Sequence, residues 1–187
     1  MLVLPVLILI INFVLFRINS YEEVTDISKY QEVIGKNSKD NFEIKWGMSE
    51  EIFPDKITED MDVLDFKSIY YNPWDAQYLS ILEIKYNEED YINEIERLNN
   101  FESTDYLGYY GVTGFNKNYT LSAMHADPYH GFVYAITDNK DRVVYIEMIF
   151  CNYFMDLDYD KYIDKDYLPL GFDATANNSY RKEKLGK

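Results

Sequence analysis

Between Leu64 and Tyr86 the residue pattern commits the chain to a pair of antiparallel strands. Leu64, Phe66, Ser68 and Tyr70 alternate with Asp65, Lys67 and Ile69, and Tyr78, Ser80, Leu82, Ile84 and Tyr86 form a second period-two face. A repeat of two residues is that of a strand, whose successive side chains point to opposite sides. Asn72-Pro73-Trp74-Asp75 separates the runs, with proline presetting a turn. The first strand is expected to keep one wetter face. The connection is longer than the tightest hairpin loop.

Asn87 follows directly and can cap a helix in which Glu88, Glu89 and Asp90 lie favourably beside the positive amino-terminal end. Tyr91, Ile92, Ile95 and Leu98 make its apolar face, Arg97 occupies the last turn, and Asn99 and Asn100 stop it. Periodicity, cap and charge placement agree.

Upstream, residues 21–25 read as a linker. Thr25 or Asp26 can cap a helix carrying Ile27, Tyr30, Val33 and Ile34, ended by Gly35. Phe42, Ile44 and Trp46 alternate as a short strand, and Ile52, Phe53 and Ile57 flank Pro54 in a loop packed on the core. Downstream, Tyr106 to Val112 holds Gly108 and Gly111, which suggests an irregular strand or a close backbone approach. Strands are expected at Tyr119–Ala126, Gly131–Thr137 and Arg142–Phe154, followed by a partly helical acidic run, Asp156–Asp166. The order predicts an α+β fold: a curved antiparallel sheet, hairpin plus meander, with one main helix packed on it. A hydrophobic helix precedes it. The chain divides into a leader at 1–20, one acidic domain at 21–179 and a mobile polar tail at 180–187.

The leader decides where the domain works. Met1 to Phe16 is apolar apart from Asn12, and Arg17 ends the run. As a helix, residues 2–16 span only ~22 Å against a hydrocarbon core of ~30 Å. Ile18 and a snorkelling Arg17 extend that reach. A single-pass anchor with the domain facing outside is the expectation. Cleavage of a signal peptide near Ser20, giving a secreted domain, is the alternative.

From Glu22 onward the chain carries seventeen basic residues against thirty-three acidic ones, a net −16. No basic stripe exists to neutralise phosphates, so nucleic acid is excluded as a partner, and the average charge disfavours electrostatic attraction to an anionic membrane. Cys151 is the single cysteine, so no internal disulfide forms. The 19 tyrosines match a composition also rich in Asn, Ile, Lys and Asp more than they signal a ligand.

Four constellations offer chemistry. Asp156, Asp158 and Asp160 alternate as in calcium loops, which gather oxygen ligands in a short span. The sixth and twelfth places of that pattern hold Lys161 and Tyr167 rather than glycine and glutamate, so an EF-hand is rejected. His125, Asp127 and His130 can supply two imidazoles and a carboxylate to zinc, on a loop fixed by Pro128. Cys151 lies in a core-strand run and acidic surroundings, the reverse of what activates a thiol. Tyr70, Tyr71, Trp74 and Tyr78 around the hairpin can form an aromatic binding patch, although packing on the helix is their simpler role.

The functional expectation is therefore a non-enzymatic, membrane-anchored extracytoplasmic domain that binds a protein or cell-envelope ligand or serves a structural role. No catalytic residue and no cofactor is assigned. The alternatives are a zinc-dependent envelope hydrolase using His125, Asp127 and His130, and a calcium-responsive surface module using Asp156, Asp158 and Asp160.

Overall fold

The computed structural model describes residues 20–35, 38–39, 45–48 and 50–187. Among these residues, six strands form one antiparallel sheet: β1 (Tyr21–Val24), β2 (Asp62–Tyr71), β3 (Gln77–Lys85), β4 (Thr120–Asp127), β5 (Gly131–Thr137) and β6 (Arg142–Ile149). The spatial order is β1-β2-β3-β6-β5-β4. Hairpin and meander thus join where β6 pairs with β3, Ser80 opposite Glu147 and Leu82 opposite Tyr145. The fold is α+β with an antiparallel sheet.

Among the described residues three α-helices accompany it: α1 (Tyr30–Val33), α2 (Glu88–Asn99) and α3 (Ser179–Lys184). In α2, Asn87 accepts a hydrogen bond from the Asp90 amide at 3.0 Å, as its position ahead of three acids predicts. Leu98 is buried, with Tyr91 and Ile95 packed beside it on the sheet. Arg97 ties the helix to the preceding loop by donating to the carbonyls of Glu51 (2.7 Å) and Ile52 (2.8 Å).

Both sheet faces are covered, which the alternation in β2 alone does not predict. Phe66, Tyr78, Leu82, Val133 and Tyr145 meet Tyr30, Met48, Phe53 and α2 on one face. Leu79, Ile81, Phe132, Tyr134 and Ile146 meet Tyr110, Leu157, Tyr159 and Tyr180 on the other. Strand β5, between β6 and β4, is buried at every position. A strand covered on both sides loses its polar alternation, which is why Val143 to Ile149 reads as an almost continuous apolar run.

Several local expectations change. Residues 21–24, read as a linker, form the edge strand β1 against β2. The run Tyr106–Val112 is not a strand: it holds a 3-10 turn, Tyr109–Gly111. The close approach expected there is real, since a Cβ on Gly111 would lie 2.8 Å from the Gly171 carbonyl oxygen. Strand β6 stops at Ile149, and Cys151 to Phe154 form a tight turn with Asn152 and Tyr153 at φ 61° and 65°. Two successive positive φ values mark a primed turn, an arrangement that suits Asn and strains Tyr. Within the segment expected as a polar tail, α3 packs Tyr180 into the core.

Among the described residues no helix is long and apolar enough to cross a membrane. The apolar run at 1–18, and the strand expected over Phe42 and Ile44, lie outside the described residues.

Candidate functional site

The pleat lines up one row of side chains across the whole sheet: Val24, Ser68, Ser80, Glu147, Val133 and His125. Ser68, Ser80 and Glu147 are polar and buried, so the segment covering them has to answer their polarity. Lys45 does so, with Nζ 3.1 Å from both carboxylate oxygens of Glu147. Ser80 donates to Glu147 Oε1 at 3.1 Å and lies 3.0 Å from the Ser68 hydroxyl. Lys45 also donates to the Val33 carbonyl (3.4 Å) and stands over the Tyr78 ring. Serine, lysine and glutamate together resemble a nucleophile with its base, but Ser80 and Glu147 are fully buried and Lys45 is 1 % exposed. A nucleophile that substrate cannot reach is a structural group. This cluster pins residues 45–48 to the sheet.

His125, Asp127 and His130 are spread along one hairpin rather than gathered at one point. His125 lies in β4 opposite Val133, and burial holds its pKa below the ordinary value, with Asp127 opposing that shift. Asp127 Oδ1 accepts from the amides of Tyr129 and His130, both at 2.8 Å, and so shapes the turn. His130 Nδ1 faces the Phe150 carbonyl oxygen at 3.2 Å, and its ring stacks on Trp46 with centroids 5.3 Å apart. In the acidic segment, Asp156 accepts from Gln77 Nε2 (2.9 Å) and Asp158 pairs with Lys161 (3.0 Å). Asp160 falls in the 3-10 turn Tyr159–Lys161. Among the described residues no group of three or more His, Cys, Asp or Glu stands together as metal ligands do.

Cys151 is half-buried beside Asp75 rather than inside a strand. Burial, reinforced by the Asp75 carboxylate, pushes its thiol up to about 12. Thiolate chemistry is suppressed there, as the acidic composition predicts.

The aromatic residues around the hairpin do not form one patch. Tyr70 and Tyr78 share a face, with ring centroids 5.5 Å apart, and Tyr78 is only 4 % exposed beneath Trp46. Tyr71, one residue further, points to the opposite face and meets Tyr21 edge to face. Trp74 alone projects outward, 89 % exposed at the hairpin tip.

That tip belongs to a larger aromatic end of the sheet, built from four loops. Asn152 joins them: Nδ2 donates to Asp75 in the hairpin (2.8 Å), Oδ1 accepts from Tyr129 (2.7 Å), and the carbonyl accepts from Arg181 Nε (3.1 Å). Tyr153 packs against Tyr129, centroids 4.7 Å apart, and against Tyr180. Trp46, Tyr110 and Tyr153 all hold positive φ here. Left-handed backbone at bulky residues costs of order 1–3 kcal/mol each and persists only where packing enforces it. This end gathers ring contacts and left-handed aromatic residues. Glu147 was missed in the sequence, although a lone acid in the apolar run of β6 is a signal, since a buried charge needs a partner. Nothing in the sequence around Lys45, Trp46 or Arg181 marks them.

Comparison of the chain with protein-family models, with curated proteins and with solved structures finds no match.

Proposed function

We propose that the chain is a single-pass anchored domain displayed outside the cytoplasm, acting as a binding or structural module for a protein or cell-envelope ligand. Residues 1–18 serve as the hydrophobic helix that holds it in the membrane. The observation that carries the non-enzymatic part is where the reactive groups spend their bonds. Glu147, Lys45 and Ser80 are closed inside the sheet, Asp127 caps a turn, and the Cys151 thiol is held protonated. What remains outward is an aromatic end with Trp74 at its tip, and exposed tryptophan is the kind of group that anchors a partner.

The test is turnover. Full-length protein in detergent is expected to leave peptide, ester, glycoside and phosphoester substrates intact, with or without added zinc or calcium. Sustained turnover, abolished by His130→Ala, would replace this reading with the envelope hydrolase.

A further inference from the structure

Three features that the sequence scatters over the chain converge at one end of the sheet. The first is the point where the apolar leader joins the domain. The Asn72 amide donates to the Ser20 carbonyl at 2.7 Å, so the chain enters beside the β2–β3 hairpin tip. The second is Trp74, two residues beyond Asn72 and therefore within ~7 Å of it along the backbone. The third is the carboxy-terminal stretch, where Arg181, Lys182, Lys184 and Lys187 make four cations against one acid, Glu183. Helix α3 is bound to the same end through the relay from Arg181 to Asn152 to Asp75. One turn on from Arg181, Leu185 is 45 % exposed.

We infer that this end rests on the bilayer that holds the leader, with Trp74 in the headgroup interface and the α3 cations against anionic headgroups. The inference deepens the anchored reading and rests on it. Indole rings partition to that interface, and lysine and arginine beside a span are attracted to anionic lipid. Lys182, Lys184 and Leu185 combine exposed charge with exposed apolar surface, as snorkelling side chains do. The domain's net acidity, which disfavours anionic lipid on average, is felt only weakly at this end, because charges more than a Debye length of ~8 Å away are screened at physiological salt. Two acids beside the entry point have cationic partners. Glu22 meets Lys39, while Glu23 accepts from Tyr21 (2.6 Å) and faces Lys67 (3.4 Å). Asp75 accepts from Asn152. A lipid surface is favoured over a protein here because the leader itself brings that surface to within a few residues of Trp74.

The experiment reconstitutes the full-length chain into phosphatidylcholine–phosphatidylglycerol vesicles containing lipid brominated high on the acyl chain. Emission is compared with that of Trp74→Phe, whose difference from the parent isolates Trp74. The expected result is that the chain floats with the vesicles, and that the Trp74 share is quenched by bromolipid and shielded severalfold from aqueous iodide. The double variant Lys182→Glu/Lys184→Glu, at two exposed positions, is expected to lose most of that quenching while still floating. A chain that floats but leaves Trp74 open to iodide and untouched by bromolipid overturns the docked end and keeps the anchor. A chain that does not float overturns both.

Discussion

Lys45 and Glu147 face each other inside the protein with no access to water, so each is the condition of the other's burial. Removing one partner strands a charge in a low dielectric, which costs ~3–5 kcal/mol, whereas replacing both with apolar groups is often neutral. Lys45→Met alone is expected to lower unfolding free energy by that amount, and Lys45→Met/Glu147→Leu to recover most of it. Chemical denaturation of the three variants measures the cycle; equal losses in single and double variants would mean that the pair is not the organising contact. At Cys151 the account concerns chemistry rather than stability. A thiol at about 12 is only ~10⁻⁴ ionised at pH 8, so alkylation of the folded protein by iodoacetamide is expected to run orders of magnitude slower than that of free cysteine. Asp75→Asn removes a neighbouring negative charge and is expected to accelerate it, as intact mass against time would show. An unchanged rate would separate Asp75 from the thiol.

Elements set by local pattern were legible, and those set by distant pairing were not. Strands β2 and β3 and helix α2 follow from alternation, proline, cap and charge, all carried within a dozen residues of each other. Strand β1 has the residues Tyr-Glu-Glu-Val, with no apolar face to read, and exists because β2 offers it an edge. The turn at 151–154 is hidden for a similar reason: Tyr153 adopts a left-handed φ only because Asn178 donates to its carbonyl at 2.9 Å and three tyrosine rings pack together. The candidate site follows the same division. Trp74 was visible as the aromatic tip of a turn, while the assembly of that tip with Asn152, Tyr153 and Arg181 depends on contacts as far as 77 residues apart. Gly131 opens β5 at φ 96°, and a Cβ there would lie 2.3 Å from the Met148 carbonyl oxygen. Backbone cannot step aside as a side-chain end can, so Gly131→Ala is expected to cost more than about 3 kcal/mol. A thermal melt within a degree or two of the parent would show that β5 and β6 pair differently.

At the scale of the whole molecule, the most exposed aromatic side chain among the described residues, Trp74, and the basic helix α3 lie at the end of the sheet where the chain enters at Ser20. The acidic residues from Glu22 onward account for the net charge of −15. In the anchored arrangement proposed above, the acidic bulk would face solvent while the entry point lies at the membrane. The direct measurement is fractionation of native cells, with protease added from outside and the mass of the amino terminus determined. The account predicts a membrane-bound species that keeps its leader and loses its acidic domain to the external protease. A released chain beginning near Tyr21, or a full-length species in the soluble cytoplasm, would contradict it.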